Sequence, residues 1–464
     1  MTNIKKIVII FLSRRNTQVV EGTGFENQQR LIACQGSNPC FSANLRGTIM
    51  SKKYKSFNMN LEPNVPNWFW HTFEKTVSWF MCGPLGTKST IKRINCEGLK
   101  GPYLVLSNHA SFIDFPHNVL AMKNDKSCWV ASVEEFIGIR SWLFDKAKVI
   151  PKRKFSNDMI LVHKIVNATR KKRMCMTIYP EARFSLVGIN EDIGTALGKL
   201  AKMCKVPVVT IIQKGNFIRS PQWNKRPYRD IPQLVEFKQV ITQEDVENLS
   251  AEELQARIEK EFVYDDYKYQ YDNNYKVTSK YRAHNIHKIL YKCPICGDEH
   301  SMDSKFTKLW CNKCGTVWEM DELGRMQCDN ENFKFNHVPD WYNWEKEECI
   351  KEVENGTYLV KERVRVEHLV NARVGFKVKG EVNMIHDING YHFEGTLTDG
   401  TPFTFDKNTQ TTRSVHIEYD YKKRGDAIDV VYNDETYFVF PLNNQSNLTK
   451  YHFATEAIFF ANQK

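Results

Sequence analysis

Apolar residues along the middle of the chain follow two alternating patterns. Short continuous apolar runs are typical of buried strands, and between them apolar residues recur at the spacing of amphipathic helices. The strand-like runs are YLVLS, CWVAS, AKVIP, MCMTIY, VPVVTII and QLVEFKQVI. Because buried strands alternate with helices in α/β proteins, residues 96–262 are predicted to form an α/β domain. Ser250 and Glu253 have capping-box spacing at the start of its last predicted helix.

A helix is predicted just before this domain, within a segment that spans residues 50–95. The stretch PNWFWHTFEKTVSWFMC repeats apolar residues at helical spacing. These residues are Trp68, Phe69, Phe73, Val77, Phe80 and Met81. They fit either a helix packed on the core or an interfacial helix whose Trp and Phe side chains enter lipid. The pattern leaves both interpretations open.

Three further units are predicted after the α/β domain. The Tyr- and Asp-rich stretch YDDYKYQYDNNYKV opens a linker at residues 263–290, and a cysteine-rich unit follows at residues 291–320. Residues 321–464 contain short alternating stretches separated by turn residues, which predicts a small antiparallel β domain. A chain that ends near residue 262 is therefore expected to fold by itself.

The first 49 residues show no helical or strand period beyond the run IVIIFL. GSNP can be encoded by the T-arm sequence of a transfer-RNA gene, and CFSA fits its continuation. We therefore hypothesise that residues 1–49 come from a mis-called start and are not structured, and that translation begins at Met50. A proteomic N-terminal peptide from within residues 1–45 would refute this hypothesis.

Positive charge is concentrated in one part of the chain. The net charge is +11, and residues 140–230 alone hold 20 Lys/Arg against 6 Asp/Glu. This segment favours an anionic partner, namely nucleic acid, a phosphorylated substrate or an acidic membrane surface, although its run RKKR also fits a solvated helix end. The 13 cysteines are scattered through apolar runs and fit reduced thiols, and no apolar run reaches 18 residues. We therefore expect an intracellular protein without a transmembrane helix.

The first candidate for chemistry is NHASFID, residues 108–114, which follows the run YLVLS. Ser111 and Asp114 have the spacing of a helix N-cap, which is a purely structural explanation. His109 is left at the junction of strand and helix, where α/β proteins place active sites. We expect His109 to precede the helix and Asp114 to reach back from its first turn. A carboxylate there would orient the imidazole and stabilise the imidazolium.

Three later stretches give this pair a context. VIPKRKF places Lys152 and Arg153 after a strand, YPEARFS places Glu181 and Arg183 after another, and VPVVTII is a strand that contains proline. In this order the four stretches resemble the glycerolipid acyltransferase family, whose bacterial members convert lysophosphatidic acid to phosphatidic acid. The family motifs are N-H-x-x-x-x-D, a strand ending in a basic residue, [FY]-P-E-G-x-R-S and V-P-[VI]. The resemblance covers about residues 60–262.

The resemblance implies a fold, a reaction and a location. The fold is a mixed sheet with flanking helices. The reaction moves a fatty acyl group from acyl-CoA or acyl carrier protein to a hydroxyl of a lysophospholipid-like acceptor, such as 1-acylglycerol-3-phosphate, with His109 as general base and Asp114 assisting it. A bacterial enzyme of this kind in phospholipid biosynthesis would be cytoplasmic and peripherally associated with the inner face of the membrane. The implied substrate-binding residues are Asn108, Lys152, Arg153, Glu181 and Arg183.

One motif departs from the family pattern. The family usually has Gly directly after the Glu and Arg three residues past it. Here Ala182 follows Glu181, Arg183 lies two residues past it, and Phe184 occupies the expected Arg position. The departure therefore bears on which head group the acceptor carries, more than on whether acyl transfer takes place.

Two C-x-x-C knuckles, CPICG and CNKCG, form the second strong motif, and 14 residues separate their inner cysteines. This spacing predicts a zinc ribbon with four thiolate ligands. The ligands are Cys293, Cys296, Cys311 and Cys314. Because the protein supplies all four ligands, the zinc is predicted to be structural rather than catalytic.

Two other functions fit parts of the sequence. A zinc ribbon, a basic segment and aromatic residues also occur in nucleic-acid-binding proteins. The ribbon is not strongly basic, however, and the positive charge lies in the domain with His109, so nucleic acid is not the predicted partner. A non-catalytic lipid-sensing domain would be expected to lack His109 or Asp114, and both are present. The predicted partners are a lyso-lipid acceptor, an acyl donor and a membrane surface.

Overall fold

A computed structural model describes most of the chain from residue 59 onward. The described residues are 59, 61–83, 89–155, 159–226, 229–371, 374–409, 412–432, 435–443 and 447–463. The hypothesised mis-called start at residues 1–49 lies outside them.

The predicted α/β region contains a seven-stranded mixed sheet. Its strands are β1 (Ser89–Ile94), β2 (Leu104–Ser107), β3 (Ser127–Ser132), β4 (Ile150–Lys152), β5 (Cys175–Ile178), β6 (Val208–Lys214) and β7 (Gln233–Ile241). Their spatial order is β1-β7-β6-β2-β5-β3-β4. Strands β2 to β6 run parallel, whereas β7 runs antiparallel to β6 and pairs in parallel with β1. The carboxyl ends of β2 to β6 therefore share one edge of the sheet, called the carboxyl edge below.

Helices cover both faces of this sheet. They are α1 (Trp68–Cys82), α2 (Asp114–Ala121), α3 (Ile139–Lys146), α4 (Met159–Arg170), α5 (Leu197–Cys204), α6 (Asn216–Arg219), α7 (Gln243–Asn248) and α8 (Ala251–Glu261). Leu104 and Leu106 of β2 pack in one core with residues of α4, α5 and α8, while Val105 faces the opposite core with α2. The predicted capping box at Ser250 and Glu253 begins α8. The predicted α/β fold with a mixed sheet is confirmed.

Helix α1 has one buried and one exposed face. Val77 and Met81 are buried, whereas Trp68, Phe69 and Trp79 are each more than half exposed. One side of α1 therefore packs on the protein, and the other presents aromatic rings. None of the helices in the described part of the chain is both long and apolar enough to span a bilayer.

The segment predicted to be a linker, residues 263–290, is packed against the rest of the protein. It contains helix α9 (Asp266–Asp272), of which Asp266, Tyr267 and Gln270 are buried. The backbone N–H of Phe217 donates to the Asp266 carboxylate at 2.9 Å. Residues 271–274 are exposed, so the stretch predicted as a linker is packed on the protein through α9 and open to solvent at the end of this helix and just after it.

The cysteine-rich unit is a four-stranded antiparallel sheet. Its strands are β8 (Met302–Lys305), β9 (Lys308–Cys311), β10 (Val317–Met320) and β11 (Met326–Gln327), in the order β11-β10-β9-β8. Helix α10 (Val338–Glu354) follows, and its Trp341 ring contacts the Trp318 ring at 5.0 Å between centroids.

The C-terminal region contains the predicted antiparallel sheet and a final helix. Its strands are β12 (Val360–Asn371), β13 (Gly375–Asp387), β14 (Gly390–Thr396), β15 (Pro402–Asn408), β16 (Ile417–Glu418), β17 (Ala427–Tyr432) and β18 (Glu435–Pro441). Their order is β15-β14-β13-β12-β18-β17-β16. The chain then forms α11 (Leu448–Ala461). The separate antiparallel sheet was predicted correctly.

A single apolar cluster connects the three regions. It extends from Ala110 and Phe217, near the carboxyl edge, through Trp318 of the ribbon to Val439 and Ile458 of the C-terminal region. Ending the chain near residue 262 would expose one side of this cluster to water. The packing therefore argues against the expectation that the first part folds alone.

Candidate active site

The histidine of NHASFID lies between β2 and α2 at the carboxyl edge. Its Nδ1 is 2.9 Å from Oδ2 of Asp114, the first residue of α2. The carboxylate therefore favours the tautomer with hydrogen on Nδ1, which leaves Nε2 as the basic nitrogen. The His109 side chain is 20% exposed and the Asp114 side chain is fully buried. This arrangement suits a general base held by a buried carboxylate.

Three further hydrogen bonds hold Asp114. Its Oδ2 accepts from the backbone N–H groups of Ala110 at 2.7 Å and Ser111 at 2.8 Å, and its Oδ1 accepts from Nδ2 of Asn216 at 2.6 Å. Ser111 is not the N-cap, because Ile113 directly precedes the helix and no side chain caps it. The S-x-x-D spacing instead lets Asp114 close the loop before the helix while it reaches back to His109.

The loop after β5, residues 179–185, encloses His109. The imidazole stacks between Tyr179 and Phe184, with ring centroids 4.0 and 3.9 Å away. The backbone N–H of Ser185 donates to the His109 carbonyl at 2.8 Å. Because both faces of the ring are covered, a substrate can reach it at the edge that carries Nε2. Phe184, which replaces the family's Arg, therefore contacts the candidate base directly.

Glu181 lies buried inside this loop. Its Oε2 accepts from the backbone N–H of His109 at 3.0 Å, and its Oε1 accepts from the hydroxyl of Tyr264 at 2.9 Å. Burial raises the pKa of Glu181 to about 8. Ala182 has a φ of 57°, in the left-handed region that favours Gly. An Ala therefore occupies a backbone conformation that Gly adopts more readily.

A buried polar network lies behind Asp114. Its members are Ser107, Asn108, His117, Asn118, Gln213 and Asn216. The Asn108 amide donates to the carbonyl of Gln213 at 3.0 Å and accepts from its N–H at 2.8 Å, which ties the end of β2 to β6. Burial lowers the pKa of His117 to about 4, so this second histidine is neutral at physiological pH. Gln213, Asn216 and Tyr264 carried no recognisable signal in the sequence.

Arg183 points away from His109 and into the C-terminal region. Its Nη2 lies 2.5 Å from the Glu191 carboxylate and 2.8 Å from that of Glu456 in α11. Its Nη1 lies 2.9 Å from Nδ1 of His452 and also donates to Ser414. Burial disfavours the charged form, yet the two carboxylates raise the pKa of Arg183 above its ordinary value. A buried ion pair thus joins the loop beside His109 to the last helix.

The basic residues after β4 lie at the same edge as His109 but farther along it. Strand β4 is three strands from β2, so their ends are about 14 Å apart at the usual strand spacing. Lys152 is the last residue of β4 and Arg153 follows it, and both are half-buried. The Lys154 side chain is 11% exposed, and its Nζ lies 3.4 Å from Asp429 of β17. This contact is a second ionic link to the C-terminal region.

The four ribbon cysteines form a compact thiol cluster. The Sγ atoms are 3.7 Å apart for Cys293 and Cys314 and also for Cys296 and Cys311. All four lie within 4.8 Å of one another. A tetrahedral site with Zn–S bonds of about 2.3 Å has sulfur atoms about 3.8 Å apart. In the part of the chain that the structure describes, this is the one group of His, Cys, Asp and Glu side chains spaced to hold a metal ion.

Residues 87–214 match the family model described as Acyltransferase. This segment is an acyltransferase-family domain. Among solved structures, the crystal structure of the 1-acyl-sn-glycerophosphate (LPA) acyltransferase PlsC from Thermotoga maritima matches with 14% identity and a TM-score of 0.35. The match covers 42% of this chain and 75% of that chain. A comparison with curated proteins gave no match.

The acyltransferase domain contains the four motifs that the sequence placed in order. His109, Asp114 and Glu181 meet at its carboxyl edge, while Lys152 and Arg153 lie three strands away. The ribbon and the C-terminal sheet lie outside the matched residues. The C-terminal region nevertheless contacts the domain, since Arg183 binds Glu456 of the last helix and Nζ of Lys154 lies 3.4 Å from Asp429 of β17.

Proposed function

We propose that the chain is an O-acyltransferase that moves a fatty acyl group from acyl-CoA or acyl carrier protein to a lysophospholipid-like acceptor of the 1-acylglycerol-3-phosphate type. One observation carries the proposal. Within an acyltransferase-family domain, Nδ1 of His109 binds the buried carboxylate of Asp114 while the ring remains partly exposed.

The geometry supports a direct transfer between donor and acceptor. Nε2 of His109 takes the proton of the acceptor hydroxyl as its oxygen attacks the thioester carbonyl. The tetrahedral intermediate then collapses, the carbon–sulfur bond breaks, and the thiolate leaves with the proton held by the imidazolium. The products are the ester and the free thiol of the carrier. Asp114 stabilises the imidazolium between these two proton transfers.

We divide the predicted substrate-binding residues into two groups. Lys152 and Arg153 remain our candidates for the anionic head group, because they share the carboxyl edge with His109. Asn108, Glu181 and Arg183 are assigned to holding the loops around His109. Each is buried, and its polar groups bind backbone atoms or other buried side chains.

We propose that α1 rests on a membrane surface and that the ribbon binds structural zinc. The exposed rings of Trp68 and Phe69 lie on the helix that carries Trp70, whose ring contacts that of Trp142 at 5.3 Å. Such exposed aromatic groups favour the interfacial region of a bilayer. The thiol cluster has the size of a zinc site with four protein ligands, which leaves no open position for catalysis.

The test is acyl transfer by purified protein to a panel of lyso-lipids, with products identified by mass spectrometry and acyl-CoA compared with acyl carrier protein as donor. His109→Ala should lower kcat about 10²–10⁴-fold, the usual contribution of a general base. The matched control is His163→Ala, which removes an exposed histidine on α4. Near-full activity in His109→Ala would overturn the mechanism. Binding of lyso-lipids without acylation of any would instead favour a lipid sensor.

A further inference from the structure

A basic and aromatic surface lies where the first hairpin of the ribbon meets the segment before it. We call it the hairpin surface. Its residues are Arg226, Lys280, Tyr281, His284, Lys305, Phe306 and Lys308. The backbone carbonyl of Phe306 accepts from the N–H of Ala283 at 2.9 Å, which fixes the hairpin against that segment.

Phe306 occupies an unusual position for an aromatic residue. Lys305 pairs with Lys308, so Phe306 and Thr307 form a two-residue turn between β8 and β9. The φ of Phe306 is 58°, a value that favours Gly at such turns. Its side chain is nevertheless 41% exposed. Its ring centre lies 5.5 Å from that of Tyr281, so one part of the ring packs on the protein and the exposed part is open to a ligand.

Cations surround the aromatic rings of this surface. Arg226 lies 4.8 Å and Lys280 lies 5.3 Å from the ring centre of Tyr281. Lys280 and Lys305 lie 5.9 and 5.4 Å from that of Phe306. Among the described residues, no carboxylate forms a salt bridge with Lys280, Lys305 or Lys308. All three lysines are exposed, and Glu319, the cross-strand neighbour of Lys308, accepts a hydrogen bond from the Thr307 hydroxyl at 2.9 Å. The surface therefore carries more positive than negative charge.

We propose that the hairpin surface binds an anionic phospholipid membrane, with the Phe306 ring in the head-group region and the lysines on lipid phosphates. An apolar ring flanked by lysines fits such an interface. Single-stranded nucleic acid fits less well, because base stacking needs an open ring face and cations lie over both Tyr281 and Phe306. The choice of lipid also rests on the proposed function, which requires a lipid acceptor.

Two variants of the full chain test the proposal by sedimentation with vesicles. One set of vesicles contains phosphatidylglycerol, and the other is phosphatidylcholine alone. Lys280→Gln with Lys305→Gln should weaken binding to the anionic vesicles about 25-fold, since each cation near such a surface contributes about fivefold. Phe306→Gly should weaken binding while the chain stays folded, because Gly suits the positive φ of the turn. The control is Lys351→Gln, which removes an exposed lysine on α10.

The outcomes separate this proposal from the proposed function. Binding needs no acyl donor, and His109→Ala should bind vesicles like the wild type. The hairpin variants should still acylate a short-chain, water-soluble acceptor. Unchanged binding of both hairpin variants to anionic vesicles would overturn the proposal. The proposal would also be overturned if the hairpin variants bound a single-stranded oligonucleotide more weakly than the wild type but bound vesicles equally well. That result would identify a nucleic-acid surface.

Discussion

Replacing Arg183 by Ala distinguishes two roles for a residue that the family motif would assign to the substrate. In the structure its guanidinium is 4% exposed and lies between the carboxylates of Glu191 and Glu456. If it holds these groups, its removal leaves two buried carboxylates without a cation. If it binds the acceptor's head group, its removal should leave folding nearly unchanged and raise KM.

The expected loss of stability follows from the burial of the three groups. Removing one partner of a buried ion pair costs about 3–5 kcal/mol, because the remaining charge has no compensation. Arg183 has two such partners, so we expect Arg183→Ala to lie at the upper end of that range. The control is Arg413→Ala, which removes the partially exposed partner of Asp192. Exposed pairs contribute about 0–1 kcal/mol, so this variant should unfold almost like the wild type.

The assay is urea unfolding of Arg183→Ala, Arg413→Ala and Glu456→Gln. Steady-state kinetics are then measured under conditions where each variant is folded. We expect Arg183→Ala to have a much lower unfolding midpoint and a lower kcat, since Phe184 and Ser185 of the same loop contact His109. Glu456→Gln should be milder, because Arg183 keeps Glu191. An unchanged midpoint for Arg183→Ala together with a raised KM would refute this reasoning and restore the head-group role.

Four further predictions concern other parts of the molecule. Asp114→Asn should lower kcat by about 10²–10⁴-fold with little change in the acceptor's KM, because the orienting charge on His109 is lost. The pKa of Glu181 is raised from 4.5 to about 8, so the folded chain holds this proton and its stability falls as pH rises through that window. Glu181→Gln has no titrating group at this position, so its urea midpoint should drop less between pH 5 and pH 8 than that of the wild type. Ala182→Gly should stabilise the chain by up to about 1 kcal/mol in the same assay, because φ is positive there. Chelation of zinc should unfold the ribbon. Tryptophan fluorescence would report the unfolding and metal analysis the loss of zinc. An unchanged fluorescence spectrum after metal loss would contradict a structural site.

The parts of the site that the sequence predicted are those with local geometry. His109 and Asp114 are five residues apart on one strand–helix junction, and each C-x-x-C knuckle forms its own turn. The continuous apolar strands likewise marked the sheet, because strands buried on both faces carry few polar residues.

The missed parts depend on contacts between distant residues. Arg183 and Glu456 are 273 positions apart, and nothing in either neighbourhood specifies the other. Tyr264 reaches Glu181 from a stretch whose composition is that of a solvated linker. The identity of such partners follows from tertiary packing, which periodicity and motif spacing do not encode.

The apolar cluster that runs from Ala110 to Ile458 constrains how this chain can change over evolutionary time. A domain joined by a flexible tether can be exchanged, lost or duplicated without effect on its neighbour. Here the ribbon and the last helix share one core with Ala110, next to His109, and a buried ion pair joins the loop after β5 to the last helix. A substitution in any of these parts therefore alters the environment of the others. The three regions therefore form one heritable unit, and recombination between homologous genes inside it should rarely yield a folded product.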